Sequence, residues 1–180
     1  LKRAFFLDRD GVINDNPHPI NHVSQFVFLE GALAAIHTLH TKGYEVFVVT
    51  NQGGVGLGFM QQKELDEIHN YMEEKIREAG GHLTEIRACT HKPKAKCACR
   101  KPEPGMMLEL IERHQIDASR SFMVGDFYTD VQAGHAAGLK TIYIGKESMK
   151  GKHPQPDYVF NSLQEAVRSL DQLENETRQK

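Results

Sequence analysis

Arg3-Ala4-Phe5-Phe6-Leu7-Asp8-Arg9-Asp10-Gly11-Val12-Ile13-Asn14 is an apolar run that ends in two aspartates. Four successive apolar residues without polar alternation read as a strand buried on both faces, as a parallel sheet requires. Residues two apart on an extended chain point the same way, so Asp8 and Asp10 face one small volume if the strand geometry persists. Gly11 then permits a sharp turn. Two carboxylates this close repel unless a cation lies between them or one holds a proton. Hard oxygen donors favour Mg²⁺. The competing reading is a solvated turn, in which Asp and Gly are common.

Working outward, short apolar runs alternate with amphipathic patterns. Strands are predicted at Arg3–Leu7, Glu45–Thr50, Glu85–Ala88, Ser121–Gly125 and Lys140–Ile144, with an edge strand at Tyr158–Phe160. Helices are predicted at Gly31–Lys42, Gln61–Ala79, Pro104–His114, Asp130–Ala137 and Leu163–Leu173. The polar stretch from Asp171 to Lys180 is expected to fray. This alternation implies βαβ units and a mostly parallel sheet covered by helices on both faces. Ligands bind such sheets beyond the carboxyl ends of the strands.

Polar residues gather at those ends. Asp8 and Asp10 follow the first strand. Thr50-Asn51-Gln52-Gly53 follows the second and offers donors for an oxyanion, or is merely a polar turn. Gly125-Asp126-Phe127-Tyr128-Thr129-Asp130 follows the fourth, with two carboxylates four residues apart; Asp130 alone would also serve as a helix cap. Arg100-Lys101-Pro102 sets two cations beside a helix start, where a charged surface pair is the bland alternative.

The three cysteines all lie in Cys89-Thr90-His91-Lys92-Pro93-Lys94-Ala95-Lys96-Cys97-Ala98-Cys99. Cys89, His91, Cys97 and Cys99 form a C-x-H-x5-C-x-C pattern, a tetrahedral zinc set that leaves no open position and is therefore structural. The alternatives are a disulfide with one free thiol, or buried thiols. A zinc-binding loop here would order a lysine-rich segment and help position Arg100 and Lys101.

Taken in order, Asp8-x-Asp10-Gly11, Thr50, Lys101 and Gly125-Asp126-x-x-x-Asp130 resemble the four motifs of the haloacid dehalogenase-like phosphatases, over about residues 3–144. The resemblance implies an α/β fold with a Rossmann-like parallel sheet. It implies that Asp8 attacks phosphorus and forms an aspartyl phosphate, while Asp10 acts as acid and then base. It implies that Thr50 and Lys101 hold the phosphoryl oxygens, and that Asp8, the main chain of Asp10, and Asp126 bind Mg²⁺. Asp130 would support Lys101 or a metal-bound water.

The zinc loop and Cys99-Arg100-Lys101-Pro102-Glu103-Pro104-Gly105 are similar to the branch of histidinol phosphatases and heptose-1,7-bisphosphate 7-phosphatases. That likeness implies removal of the 7-phosphate of D-glycero-D-manno-heptose 1,7-bisphosphate. It implies substrate contacts from Arg9, Asn16, Pro17, His18, Pro19, Asn51, Gln52, Gly53 and Arg100. Gly54-Val55-Gly56-Leu57-Gly58 departs from heptose enzymes that carry an arginine in this loop. Histidinol phosphate and other small phosphosugars are the enzymatic alternatives. A phosphosugar-binding regulatory module is the non-enzymatic one, though binding alone requires neither nucleophile nor acid.

The 180 residues suit one domain spanning 1–180, with 39% hydrophobic and 26% charged residues. No stretch is long enough for a separate cap domain. A net charge of −2 and a pI of about 6.6 give no support to a nucleic-acid partner, including a nucleic-acid end phosphatase. No apolar run approaches a membrane span, and the run before Asp8 is too short for a secretion signal. The expectation is a cytoplasmic monomer acting on a small phosphorylated sugar or metabolite. Of the ten histidines, those apart from His91 are expected mostly at the surface, with His18 near substrate.

Overall fold

Phe5 and Leu7 point to one side of the first strand and Ala4 and Phe6 to the other, and all four are fully buried. A computed structural model describes residues 1–178 and places this strand, β1 (Ala4–Leu7), inside a six-stranded sheet. The remaining strands are β2 (Glu45–Asn51), β3 (Glu85–Cys89), β4 (Phe122–Gly125), β5 (Lys140–Ile144) and β6 (Tyr158–Phe160). Every pairing is parallel and the order is β3-β2-β1-β4-β5-β6. The chain runs outward from β1 to β3, then returns to β4 and runs outward the other way. The strand order thus reverses between β1 and β4, where a doubly wound sheet opens a crevice for ligands.

The helices are α1 (Ala32–Thr41), α2 (Gly53–Gly56), α3 (Gln62–Glu78), α4 (Gly105–His114), α5 (Tyr128–Ala136), α6 (Leu163–Arg168) and α7 (Leu170–Arg178). Phe5, Leu7, Val46, Val48, Phe122 and Val124 share one core with the apolar faces of α1, α3, α6 and α7. Ala4, Phe6, Phe47, Val49 and Met123 form the other core with α4 and α5. Both faces of the sheet are therefore covered. Phe5 stacks on Phe122 and Phe6 on Phe47, with centroids 4.8 and 4.9 Å apart.

Two local expectations need correction. The single helix predicted at Leu163–Leu173 breaks at Ser169, and the stretch from Asp171, expected to fray, continues as α7. Leu173 is fully buried, and Glu174 is held by Arg3 (3.0 Å) and by the Tyr44 hydroxyl (2.7 Å). These anchors outweigh the polar composition; the last two residues lie outside the described range. Between β1 and α1 the chain forms a long loop with one 3₁₀ turn at Val23–Gln25. Among the described residues no helix is long and apolar enough to cross a membrane.

Candidate active site

Strand register brings the sequence motifs to one level. Leu7 lies opposite Val48 on one side and Val124 on the other. Asp8, Thr50 and Asp126 therefore emerge one or two residues beyond a shared line. The Asp8 N–H still donates to the Val124 carbonyl (2.9 Å), so its backbone remains part of the sheet.

Lys101 crosses to the same place from the loop before α4. It is 3% exposed, and its ammonium meets Asp130 Oδ1 at 2.7 Å, the Val49 carbonyl at 2.8 Å and Asp8 Oδ1 at 3.0 Å. An ammonium has three N–H donors, and here all three have acceptors. Burial disfavours the charged ammonium, but Asp130 and Asp8 outweigh it and hold the lysine above its ordinary range. Asp130 is spent twice, since its Oδ2 accepts the Phe127 N–H (3.0 Å) at the start of α5. That helix begins at Tyr128, two residues earlier than predicted, so Asp130 reaches back from the third helical position.

Asp8, Asp126 and Asp130 have carboxylate oxygens within 4.8 Å of one another, against one lysine. Burial pushes the Asp8 carboxyl well above the usual carboxylate range, against the pull of Lys101. Burial, and then the charge of Asp130, push Asp126 up to about 6. Asp126 Oδ1 is buried without a partner. An excess of hard, under-satisfied oxygens fits a divalent cation such as Mg²⁺. Gly11 leaves room for this arrangement: at φ 83° it lies so close that a Cβ would sit 1.9 Å from Asp126 Oδ2.

Asp10 is held differently. Its Oδ1 accepts from Arg9 Nε (3.0 Å), Arg9 Nη2 (2.9 Å) and Asn14 Nδ2 (2.9 Å). Its Oδ2 accepts from Gln52 Nε2 (3.1 Å), and the same amide donates to Thr50 Oγ1 (2.8 Å). Thr50 is buried behind this link. The Arg9 side chain, expected at the substrate, is instead fully buried between Asp10 and His69, its Nη1 lying 3.1 Å from His69 Nε2. Its guanidinium fork is already occupied by protein.

Two clefts meet at Asp10, Asn16 and Asn51. One, of about 370 Å³, is lined by Asp8, Arg100, Lys101, Phe127, Thr129 and Asp130 as well. The other, of about 430 Å³, continues along Pro17, His18 and Pro19 and past Gln52, Gly53 and Gly54. Every substrate contact expected from the sequence lines one of them except Arg9. Arg100 shares this lining with the carboxylates of Asp8, Asp10 and Asp130, its Nη1 buried and unpartnered. Asn51 divides its role. It borders both clefts, while its amide exchanges two hydrogen bonds with the main chain of Lys101.

Beside this site Cys89, His91, Cys97 and Cys99 bring their ligand atoms within 4.8 Å of one another, and the three thiols are free. Their soft donor set fits zinc. Burial first, and then Cys99, push the Cys89 thiol up to about 12. The loop packs on the short turn of α2: a Cβ at Gly56 would lie 2.5 Å from the Lys92 main-chain nitrogen, and one at Gly53 would lie 3.1 Å from Arg100 Nη1.

Composition alone does not reveal three participants. Asn14 holds Asp10, Phe127 stands 64% exposed at the cleft, and His69 is buried rather than at the surface. His69 had a legible signal. It falls on the stripe Leu65, His69, Met72, Ile76, at helical spacing.

Carboxylates and a lysine thus converge at the switch point of a doubly wound parallel α/β sheet. The chain belongs to the haloacid dehalogenase-like phosphatases. Residues 98–166 match the family described as HAD-hydrolase-like. The chain is 33% identical over 184 residues to the D-glycero-beta-D-manno-heptose-1,7-bisphosphate 7-phosphatase of Pasteurella multocida, covering 97% of this chain and 100% of the relative. It is 38% identical over 143 residues to the protein of the same name from Rhodopseudomonas palustris, covering 76% and 79%. The crystal structure of D,D-heptose 1,7-bisphosphate phosphatase from B. bronchiseptica, complexed with magnesium and phosphate, superposes with a TM-score of 0.88 at 31% identity, covering 94% of this chain and 98% of that one.

Proposed function

We propose that the chain, as one catalytic domain, is a Mg²⁺-dependent phosphomonoesterase that removes the 7-phosphate of D-glycero-D-manno-heptose 1,7-bisphosphate. The observation that carries this reading is the buried Lys101 ammonium, bound to Asp8 and Asp130 in the lining of a cleft that Asp10 and Arg100 also line. The relatives named above supply the sugar.

Asp8 attacks phosphorus, and the bond to the leaving sugar oxygen breaks. Asp10 gives that oxygen its proton. Asp10 then takes a proton from water, whose oxygen attacks phosphorus and releases Asp8. Covalent catalysis splits one difficult displacement into two easier ones. Lys101 holds the phosphoryl oxygens, freed for this as charge passes from Asp8 to the phosphoryl group; Thr50 reaches them only if the Gln52 amide that covers its hydroxyl turns aside. Arg100 and the polar residues Asn16, His18, Gln52 and Gly53 receive the remainder of the substrate, a task suited to a guanidinium fork and short amides. Asp8, the main chain of Asp10, and Asp126 would hold Mg²⁺, which supplies charge neutralisation at the phosphoryl group. Cys89, His91, Cys97 and Cys99 would hold a structural Zn²⁺. A three-thiol site without a disulfide suits a reducing compartment, so we place the enzyme in the cytoplasm.

The test is phosphate release with Mg²⁺ from heptose 1,7-bisphosphate, histidinol phosphate and a phosphosugar panel, with Asp8→Asn as control. The expected result is a strong preference for the heptose bisphosphate, lost in the control. Equal weak activity on every substrate would withdraw the heptose assignment. Full activity in Asp8→Asn would withdraw the nucleophile.

A further inference from the structure

The Arg9 guanidinium is fully buried and has a protein partner on each edge. One edge, Nε and Nη2, grips the Asp10 carboxylate at 2.9–3.2 Å. The other, Nη1, meets His69 Nε2 at 3.1 Å. Arginine carries donors only, so His69 Nε2 must accept, which fixes its proton on Nδ1. His69 comes from the middle of α3, a helix that supplies no residue to the cleft of Asp8 and Lys101, and the residue is 9% exposed. A buried guanidinium that loses an acceptor carries an unpaired donor and must turn to find another. Turning Arg9 moves the fork that aims Asp10.

We infer that His69 is a positioning residue that acts through Arg9 to hold Asp10 where it can pass a proton to the leaving oxygen. Asn14 and Gln52 fix the same carboxylate from other directions, each by one amide hydrogen bond. His69 governs the charged, two-pronged contact, which is the stronger and more directional one. The inference rests on the proposed role of Asp10 as general acid.

The experiment compares two substrates in one enzyme preparation: the best phosphosugar of the panel, whose alkoxide leaves with a proton, and p-nitrophenyl phosphate, whose phenolate leaves without one. The ratio of their kcat values does not depend on how much of a variant is folded. His69→Leu keeps the packing volume and removes the acceptor. It should lower the phosphosugar-to-nitrophenyl ratio by about 10-fold or more, a part of what a general acid contributes, with KM little changed. His69→Gln, which restores an acceptor, should return most of the ratio. Asp10→Asn should lower it further still.

If kcat falls equally on both substrates in His69→Leu, or if His69→Gln fails to rescue the ratio, His69 is only a packing residue. If Asp10→Asn itself leaves the ratio unchanged, the acid assignment falls and this inference falls with it. A ratio lost in Asp10→Asn but kept in His69→Leu overturns the inference alone.

Discussion

Asn51 and Lys101 are joined by reciprocal hydrogen bonds. Asn51 Nδ2 donates to the Lys101 carbonyl, and the Lys101 N–H donates to Asn51 Oδ1, both at 3.0 Å. The last residue of β2 thereby fixes the backbone from which the buried ammonium projects. Replacing Asn51 with Ala removes both bonds, each contributing about 1 kcal/mol. The expected outcome is a loss of about 10- to 30-fold in kcat/KM through displaced Lys101. Activity within twofold of wild type would show that the lysine keeps its place without this clamp.

Gly11→Ala addresses the proposed metal site directly. The new methyl group would overlap Asp126 Oδ2, and the backbone at φ 83° disfavours a side chain. Asp126 must move away from Asp8. Mg²⁺ should raise the melting temperature of the wild-type protein but not that of Gly11→Ala, as followed by thermal denaturation with and without the ion. An equal Mg²⁺ response in the two proteins would remove Asp126 from the proposed ligand set.

Stability should depend on the protonation of His69. Burial, and then the Arg9 charge, lower its pKa from 6.5 to about 4, with Asp10 and Asp66 pulling weakly the other way. Between these values the unfolded imidazole binds a proton that the folded one refuses. The resulting stability is full above about pH 6.5 and is lost as pH falls towards about 4, a difference of about 3 kcal/mol. Urea unfolding across this range should show a shallower pH dependence in His69→Gln than in wild type. Parallel curves would mean that the buried imidazole does not resist protonation.

Zinc removal should act on two properties at once. The loop from Cys89 to Cys99 carries three exposed lysines and has few apolar contacts of its own. Chelation should lower the melting temperature by about 5–15 °C, equivalent to a few kcal/mol. Because α2 and Arg100 pack on this loop, KM for the phosphosugar should rise as well. Anaerobic metal analysis that finds no zinc in the purified protein would end this assignment.

The parallel sheet was legible because its central strands carry unbroken apolar runs, Ala4-Phe5-Phe6-Leu7, Val46-Phe47-Val48-Val49 and Phe122-Met123-Val124, which a two-sided core accommodates. The candidate cluster was legible because Asp8, Thr50 and Asp126 stand at strand ends, and a parallel sheet brings strand ends together. What escaped depends on direction rather than position. Arg9 lies between two cleft residues, yet its side chain turns inward, and no local spacing reveals that. His69 carried a periodicity signal, but its polarity argued for the surface. The continuation of α7 depends on Arg3 and Tyr44, more than a hundred residues away along the chain. The break at Ser169 has no marker such as Pro or Gly in the sequence.

The glycine turn after β2 restricts how this enzyme's selectivity can be altered. At Gly56 any side chain would collide with the main chain of Lys92 and Thr90, and at Gly53 it would press on Arg100 and the His91 carbonyl. Gly56 is closed to redesign unless the loop from Cys89 to Cys99 is rebuilt with it, whereas Gly53 admits a side chain only where Arg100 and the neighbouring backbone give by a few tenths of an ångström. Gly54, between them, borders the amide-lined cleft, and a Cβ there would meet nothing nearer than 4.0 Å. A single codon is thus the open door through which a new charge can enter the wall of that cleft.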